Sequence, residues 1–407
     1  MRSLRSRYFE GLPPEVAALT GVSFSVALGF GIVAPVIPLF AKTFDVSAFQ
    51  ASAVISVFAF MRFISATPAG WLVNRVGERA VLWTGLAIVA VSSAMAGLSQ
   101  TYGQLLVLRG LGGTGSSMFT VSAMSLLLRV VGPDQRGRAA STYQSGFLLG
   151  SLAGPAIGGL VVGASIRAPF FVYAATLLLA SWVAYTRLPK RLGHPKHDER
   201  VATNDSLMPL RSALRLREYW TALTLNLTTG VTVFGMRNAL LPLYVVDVLR
   251  RGPAMSSTGF LVSTVSQAAL LRVAGRTTDQ RGRKPALMIG ALGLVGALAM
   301  AVVVETLPAY VIYMAVIGAS SAFLGAGGAA VVGDVVAGRK GGPVVSLVQM
   351  TSDLGMVVGP LLAGWLLDAS GGYALPFGVN LAFAAALAVL VARTPETLRR
   401  HYARTDN

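Results

Sequence analysis

The sequence predicts an all-α membrane protein of twelve transmembrane helices, arranged as two pseudo-symmetric six-helix bundles. Three observations carry that expectation. The first is an internal repeat. Gly70-Trp71-Leu72-Val73-Asn74-Arg75-Val76-Gly77-Glu78-Arg79 returns 205 residues later as Gly275-Arg276-Thr277-Thr278-Asp279-Gln280-Arg281-Gly282-Arg283-Lys284. Gly150-Ser151-Leu152-Ala153-Gly154-Pro155-Ala156-Ile157-Gly158-Gly159 returns at the same offset as Gly355-Met356-Val357-Val358-Gly359-Pro360-Leu361-Leu362-Ala363-Gly364, and Gln144 meets Gln349. Two unrelated motifs that share one offset, near half of 407 residues, mark a duplicated domain. The second is composition: 54% of residues are apolar, 13% are charged and the mean hydropathy is +0.64. A soluble domain carries about 25% charged residues, so this chain has little to present to water. The third is the placement of the 34 Lys and Arg residues, which is strongly one-sided.

Twelve apolar segments, each about 20 residues or longer and able to cross a bilayer, follow one another along the chain. They lie at 15–41, 47–73, 80–99, 103–127, 138–163, 167–186, 219–246, 256–275, 285–304, 309–331, 344–367 and 374–393. With the N-terminus in the cytoplasm, only Lys42, Arg167, Arg250 and Arg251 fall outside, and Arg62, Arg109 and Arg237 fall within spans. The remaining basic residues, from Arg2, Arg5 and Arg7 to Arg399, Arg400 and Arg404, are all cytoplasmic. That is the positive-inside rule, and it predicts a multi-pass protein with both termini in the cytoplasm. The net charge of +17 is then topology and contact with anionic lipid, not a nucleic-acid surface. The basic first twenty residues run into a long helix with no small-residue cleavage site, which reads as a retained first span.

The one long polar stretch, 188–216, holds Lys190, Arg191, His194, Lys196, His197, Asp198, Glu199 and Arg200. The expected plan is therefore an N-terminal six-helix bundle at 1–187, a cytoplasmic linker at 188–218, and a C-terminal bundle with a short cytoplasmic tail at 219–407. Cysteine is absent, and three histidines form no metal constellation. Gly325-Ala326-Gly327-Gly328 lacks the Lys-Ser/Thr of a phosphate loop. No cofactor, metal or nucleic-acid partner is expected, and no Ser/His or His/Asp cluster suggests an enzyme. The Gly and Arg content points to a high-GC bacterium and hence to the plasma membrane, with the protein acting as a monomer.

The repeated motif Gly-x-Leu-x-Asx-Arg-x-Gly-x-Arg joins spans 2 and 3, and again spans 8 and 9. Gly70, Asn74, Arg75, Gly77 and Arg79 form the first copy; Gly275, Asp279, Gly282, Arg283 and Lys284 form the second. Glycines permit a tight turn and close helix approach, and the basic residues anchor it at the membrane surface. This pattern resembles the loop motif of the major facilitator superfamily, and the resemblance spans the whole chain. It implies membrane transport by alternating access, with this loop latching the outward-facing state. Asn74 stands where the family usually has Asp, which implies a weaker N-terminal latch.

Span 4 opens with Leu108-Arg109-Gly110-Leu111-Gly112-Gly113. It is similar to the superfamily motif in which a buried Arg tunes proton transfer; the alternative is an Arg109 that snorkels to the headgroups. Gly150, Gly154, Pro155, Gly158 and Gly159 on span 5 look like the antiporter motif of drug/proton exporters. Physically, the glycines give a close-packing face, and Pro155 removes a backbone hydrogen bond.

Few polar residues remain within the spans. Arg62 on span 2 and Asp353 on span 11 lie about 18 and 15 Å from the cytoplasmic helix ends, at roughly 1.5 Å per residue. The resemblance places spans 2 and 11 face to face, so an Arg62–Asp353 pair that forms in one conformation and parts in the other is expected, with the parted carboxylate taking up a proton. The alternative is a structural ion pair within each bundle. Gln144, Gln267 and Gln349 are candidate cavity hydrogen-bonders, as are Arg237 and Asn238 on span 7. Phe58, Phe60, Phe63, Phe119, Phe147, Phe234 and Phe260 are candidate apolar lining. Pro35 and Pro38 in span 1 and Pro242 in span 7, at matched depth, predict broken helices near a transport site.

These readings combine into a proton-coupled exporter of small amphipathic compounds. An uptake carrier for an organic anion, bound by Arg62 and Arg237, is the alternative within transport. A non-transporting receptor or scaffold is the reading from another class.

Overall fold

A computed structural model describes residues 11–132, 135–188, 208–336 and 342–398. The basic residues before 11 and after 398, and residues 189–207 of the expected linker, lie outside the described residues. Every regular element described is helical. In a bilayer no water pairs backbone N–H and C=O groups, and a helix satisfies them within one segment. Span 1 is Pro14–Val33 followed by Ile37–Lys42; span 2 is Ala48–Val76, span 3 Glu78–Leu98, span 4 Tyr102–Val130, span 5 Arg136–Ala164 and span 6 Ala168–Arg187. Span 7 comprises Arg217–Thr229, Gly230–Met236 and Arg237–Asp247. Spans 8 to 12 are Pro253–Gln280, Arg283–Val303, Leu307–Val336, Gly342–Ser370 and Ala374–Arg393.

Among the described residues, 11 helices are long and apolar enough to cross a membrane. Span 8 has the length, at 28 residues, but a more polar composition. Ser256, Ser257, Ser263 and Thr278 are buried inside the protein, so its polar atoms are turned away from lipid. Large apolar side chains such as Leu160, Val107, Trp182 and Leu292 are exposed instead, as a lipid-facing surface requires.

The proline expectation holds for one of the two spans it was made for. Span 1 is interrupted at Ala34–Val36, where Pro35 has no N–H to continue the ladder. Span 7 is not broken at Pro242, which sits inside the α-helix Arg237–Asp247. The irregular stretch precedes it, as a π-helix over Gly230–Met236. Gly230 and Gly235 in that wide turn touch the backbone of span 11 at Gly355 and Gly359, so close packing and not proline marks the distortion.

The chain packs as two compact units. One comprises Met1–Val46, Val57–Asp198 and Pro253–Leu261; the other comprises Ser47–Ser56, Glu199–Gly252 and Val262–Asn407. In the first, the main pairings join span 1 to span 5, span 3 to span 4 and span 3 to span 6. In the second, span 7 joins span 11, span 9 joins span 10 and span 9 joins span 12. The partners correspond one for one at six spans' distance, so the repeat in sequence is also a repeat in packing.

Candidate functional site

Both loop motifs close on a glycine with positive φ, +95° at Gly77 and +121° at Gly282. Those turns let spans 3 and 9 start one residue later. Arg79 then donates to the Tyr185 carbonyl at the end of span 6, and Lys284 Nζ donates to the Ala392 carbonyl at the end of span 12, 2.6 Å away. Arg75 stacks over Trp71 at 4.1 Å. Gly70 faces Val121 of span 4, whereas Gly275 borders open space. Asn74 and Asp279 are exposed on the helix surface.

Immediately after each turn lies an ion pair that the sequence reading missed. Glu78 is buried and paired with Arg129 of span 4, with Ser125 also donating to it. Arg283 Nε lies 2.9 Å from Asp334 Oδ2 of span 10. Glu396 accepts the backbone N–H groups of Arg283 and Lys284 at 2.9 and 3.0 Å, capping the start of span 9. Thr397 donates to the same Asp334 at 2.6 Å.

Mid-span polar residues gather separately in each unit. In the first, Arg109 is only 2% exposed, so it does not snorkel to the headgroups. Its guanidinium lies over the Phe58 ring at 4.4 Å, and its Nε has no hydrogen-bond partner among the described residues. A cation over an aromatic face in a desolvated site is attracted to the ring quadrupole. Arg62 and Arg109 both act electrostatically on the buried Tyr173 of span 6. The structure thus brings two of the predicted residues around a tyrosine that no motif marked.

In the second unit, Arg237 donates to Ser263 Oγ at 3.2 Å and interacts electrostatically with Tyr313 and Tyr310 of span 10. Neighbouring Asn238 is buried, with Oδ1 unpartnered among the described residues. Tyr310 and Tyr313 also line a small cavity with Tyr244 and Phe377. At the edge of that aromatic cluster, the Tyr373 hydroxyl donates to Asp247 at 2.6 Å; burial and this bond push its pKa up, so it remains a donor. Asp353 accepts from Gln349 at 3.3 Å, one helical turn away on span 11. Gln144 is exposed on span 5 and Gln267 half-buried on span 8.

The span 5 glycines do two jobs. A Cβ added at Gly154 would sit 2.6 Å from the Leu28 carbonyl oxygen, and Pro155 packs on Gly31. Gly150 and Gly158 meet span 1 in the same way, as does Gly146, which lay outside the motif. Gly159 faces instead Ala254 and Ser257 at the start of span 8, within the first unit.

This doubled helical pattern has a counterpart among protein families. Residues 19–271, and again 252–405, match the model described as Major Facilitator Superfamily. The chain belongs to the Major Facilitator Superfamily. Among curated proteins, it is 25% identical over 240 residues to the quinolone resistance protein NorA of Staphylococcus aureus, strain MSSA476, covering 56% of this chain and 58% of that one. It is 30% identical over 209 residues to the multidrug efflux protein YfmO of Bacillus subtilis, strain 168, covering 49% and 50%. The chain thus spans between half and two thirds of these relatives. Solved structures cover it more fully. A bacterial homolog of the human lysosomal transporter Spinster matches with a TM-score of 0.73 at 15% identity, over 95% of this chain and 97% of that one. A mutant form of the nucleoside transporter NupG matches at 0.73 and 13%, over 93% and 98%. At such identities these two establish the fold alone.

Proposed function

We propose that this superfamily member exports small amphipathic compounds in exchange for protons, by alternating access of bundles 1–187 and 219–407. The observation that carries the proton half is Asp353. It sits 11 residues into the 29-residue span Gly342–Ser370, half-buried and held by Gln349. An intramembrane carboxylate is costly to keep and marks an ion pathway by default. In this reading Asp353 takes up and gives back the proton, with Arg62 and Arg109 as the cationic groups that tune the exchange, Arg109 from its seat over Phe58. The residues proposed to contact substrate are Gln144 in the first unit and Gln267, Gln349, Arg237 and Asn238 in the second. The direction of transport is supported by the likeness to the quinolone resistance protein NorA and the multidrug efflux protein YfmO and by the span 5 Gly-Pro face.

The protein works as a monomer in the plasma membrane, with both termini and the linker 188–218 cytoplasmic. A second reading, uptake of an organic anion, draws on buried arginines within each unit. Arg62 and Arg109 share Tyr173, and Arg237 lies among Ser263, Tyr310 and Tyr313.

The test is a growth-inhibition panel in an efflux-deficient bacterium, with the intact protein and Asp353→Asn at matched expression. Resistance to one or more compounds should be abolished by the substitution and by a proton uncoupler. Resistance that survives Asp353→Asn removes that residue from coupling. No resistance to any compound favours the anion reading, tested next by uptake of labelled organic anions.

A further inference from the structure

We infer that Asp368 is a second proton-binding site, whose charged form clamps the first residues of span 2 onto span 11 and whose protonated form lets them go. Its role in transport rests on the proton-coupled reading above. The geometry that carries it does not.

Asp368 lies three residues from the end of Gly342–Ser370. Its Oδ1 accepts the Ala48 N–H at 2.9 Å and its Oδ2 accepts the Phe49 N–H at 2.8 Å. These are the first two residues of span 2, whose N–H groups have no partner within the helix. The next two are met locally, Gln50 N–H by the Ser47 hydroxyl at 3.2 Å and Ala51 N–H by the Ser47 carbonyl at 3.0 Å. Bonds to a charged acceptor are the strong class, and an anion at a helix N-terminus is favoured besides. Two further contacts extend the clamp. A Cβ at Gly364 would lie 2.6 Å from the Ala48 carbonyl oxygen, and Ser56 donates to the Val357 carbonyl at 2.7 Å. Residues 47–56 belong, accordingly, to the second compact unit, whereas span 2 from Val57 onward belongs to the first.

The repeat shows that packing alone does not require this carboxylate. At an offset of 205, Gly364 corresponds to Gly159, Phe49 to Ala254, Ala48 to Pro253 and Asp368 to Gly163. The contact is repeated, less tightly, within the first unit, where a Cβ at Gly159 would lie 3.7 Å from the Ala254 carbonyl oxygen and 3.5 Å from Ser257. The clamp is not, because Pro253 has no N–H and Gly163 no side chain. One of two equivalent helix ends is thus held by a titratable group.

Protonation breaks the arrangement on chemical grounds. A neutral carboxyl keeps one good acceptor oxygen and turns the other into a donor facing an N–H. Along the chain, the nearest charged or titratable groups are Lys42, which donates to the Val46 carbonyl at 2.8 Å, and Asp45 before span 2, and after span 11 Tyr373 with its partner Asp247. The clamp lies at the end of span 2 remote from the Gly77 turn. In the proposed orientation that end faces the outside, from which a proton-driven exporter draws protons.

The chain has no cysteine, so an introduced one reports alone. Ser52, on the clamped segment, is 0% exposed and its hydroxyl has no partner among the described residues, so Ser52→Cys should be well tolerated. The full-length variant in proteoliposomes is labelled with a membrane-impermeant maleimide from the outer side. Its rate is divided by that of Gln100→Cys, an exposed position, to cancel the pH dependence of the thiol. Lowering the outer pH from about 8 to about 3.5, below the ordinary carboxylate range because the two N–H bonds favour the charged form, should raise the ratio about tenfold or more. Adding Asp368→Asn should give the high ratio at both pH values, and Asp368→Glu should keep the pH response. Ser93→Cys, buried in the first unit, should stay protected throughout, which separates release from unfolding.

A pH response that persists in Asp368→Asn, or an Asp368→Asn protein as protected as its parent at high pH, overturns the inference. The labelling needs no substrate. A response through Asp368 in a chain that confers no resistance keeps the site and drops the exporter, and resistance with unresponsive labelling does the reverse.

Discussion

At the scale of single residues, the two repeats use opposite charges for one bond. Glu78 corresponds to Arg283 and Arg129 to Asp334 at the offset of 205, so the pair is inverted between bundles while its geometry is kept. Arg283 and Asp334 have side chains 13% and 11% exposed, against 33% and 8% for Arg129 and Glu78. A buried partner left alone costs about 3 kcal/mol or more, a half-exposed one about 1 kcal/mol. Arg129→Ala, which leaves Glu78 alone, and Asp334→Ala, which leaves Arg283 alone, should therefore each lower the thermal stability of the detergent-purified protein clearly more than Glu78→Ala, which leaves only the more exposed Arg129. Replacing Glu78 by Arg together with Arg129 by Asp should recover most of what either single change loses. Arg109 makes a different prediction. Lys has neither the planar fork nor the weak hydration that suit Arg to the Phe58 face. Arg109→Lys should reduce transport strongly with the melting temperature little changed, measured on the same preparation. Arg109 was legible in the sequence as a charge in an apolar span. Its seat on Phe58 and its neighbour Tyr173 were not, since the rotation of one span against another leaves no local signature.

At the scale of elements, span pairs meet through backbone and not through large side chains. Gly150 and Gly154 bring span 5 onto span 1, and Gly355 and Gly359 bring span 11 onto span 7. Lipid tails are as apolar as leucine, so close van der Waals contact is what holds such helices together. A methyl group forced into that seam costs about 1–3 kcal/mol. Gly154→Ala should lower the unfolding temperature measurably, whereas Gly163→Ala, with nothing within 4 Å of its new carbon, should leave it unchanged. The glycine motif could be read directly from the sequence. The reach of the seam to Gly146, and the turning of Gly159 toward span 8, depended on how the helices cross. The π-helix before Pro242 escaped for a related reason: a wide turn follows from what packs against it, and Pro242 is itself accommodated in regular helix.

At the scale of the whole molecule, two units built on the same helix pairings make an all-α member of the Major Facilitator Superfamily. The distribution of Lys and Arg predicts which ends of the spans face the cytoplasm. A cysteine placed at Gln100 should react with an impermeant maleimide in intact cells, and one placed at Asp279 only after permeabilisation. Equal labelling of both in intact cells would reverse or abolish that orientation. Span count and repeat were legible because crossing a bilayer needs a long apolar run, and a duplicated gene leaves a constant offset. Both are written in one dimension.

The sequence by itself determined the class of molecule, twelve helices, the repeat and the motifs of the superfamily, since each depends on composition or spacing along the chain. Tertiary structure alone decided the partners. It set Arg109 over Phe58, put Arg237 beside Ser263 and the span 10 tyrosines, and seated Asp368 on the first N–H groups of span 2. Asp368 shows the physical reason most plainly. From the sequence it is an ordinary acid near a helix end. Its meaning depends on a helix start 320 residues away being brought to within hydrogen-bond distance, and on its repeat mate being a glycine. Distance in space between remote segments is a property of the packed helices, and no local pattern encodes it.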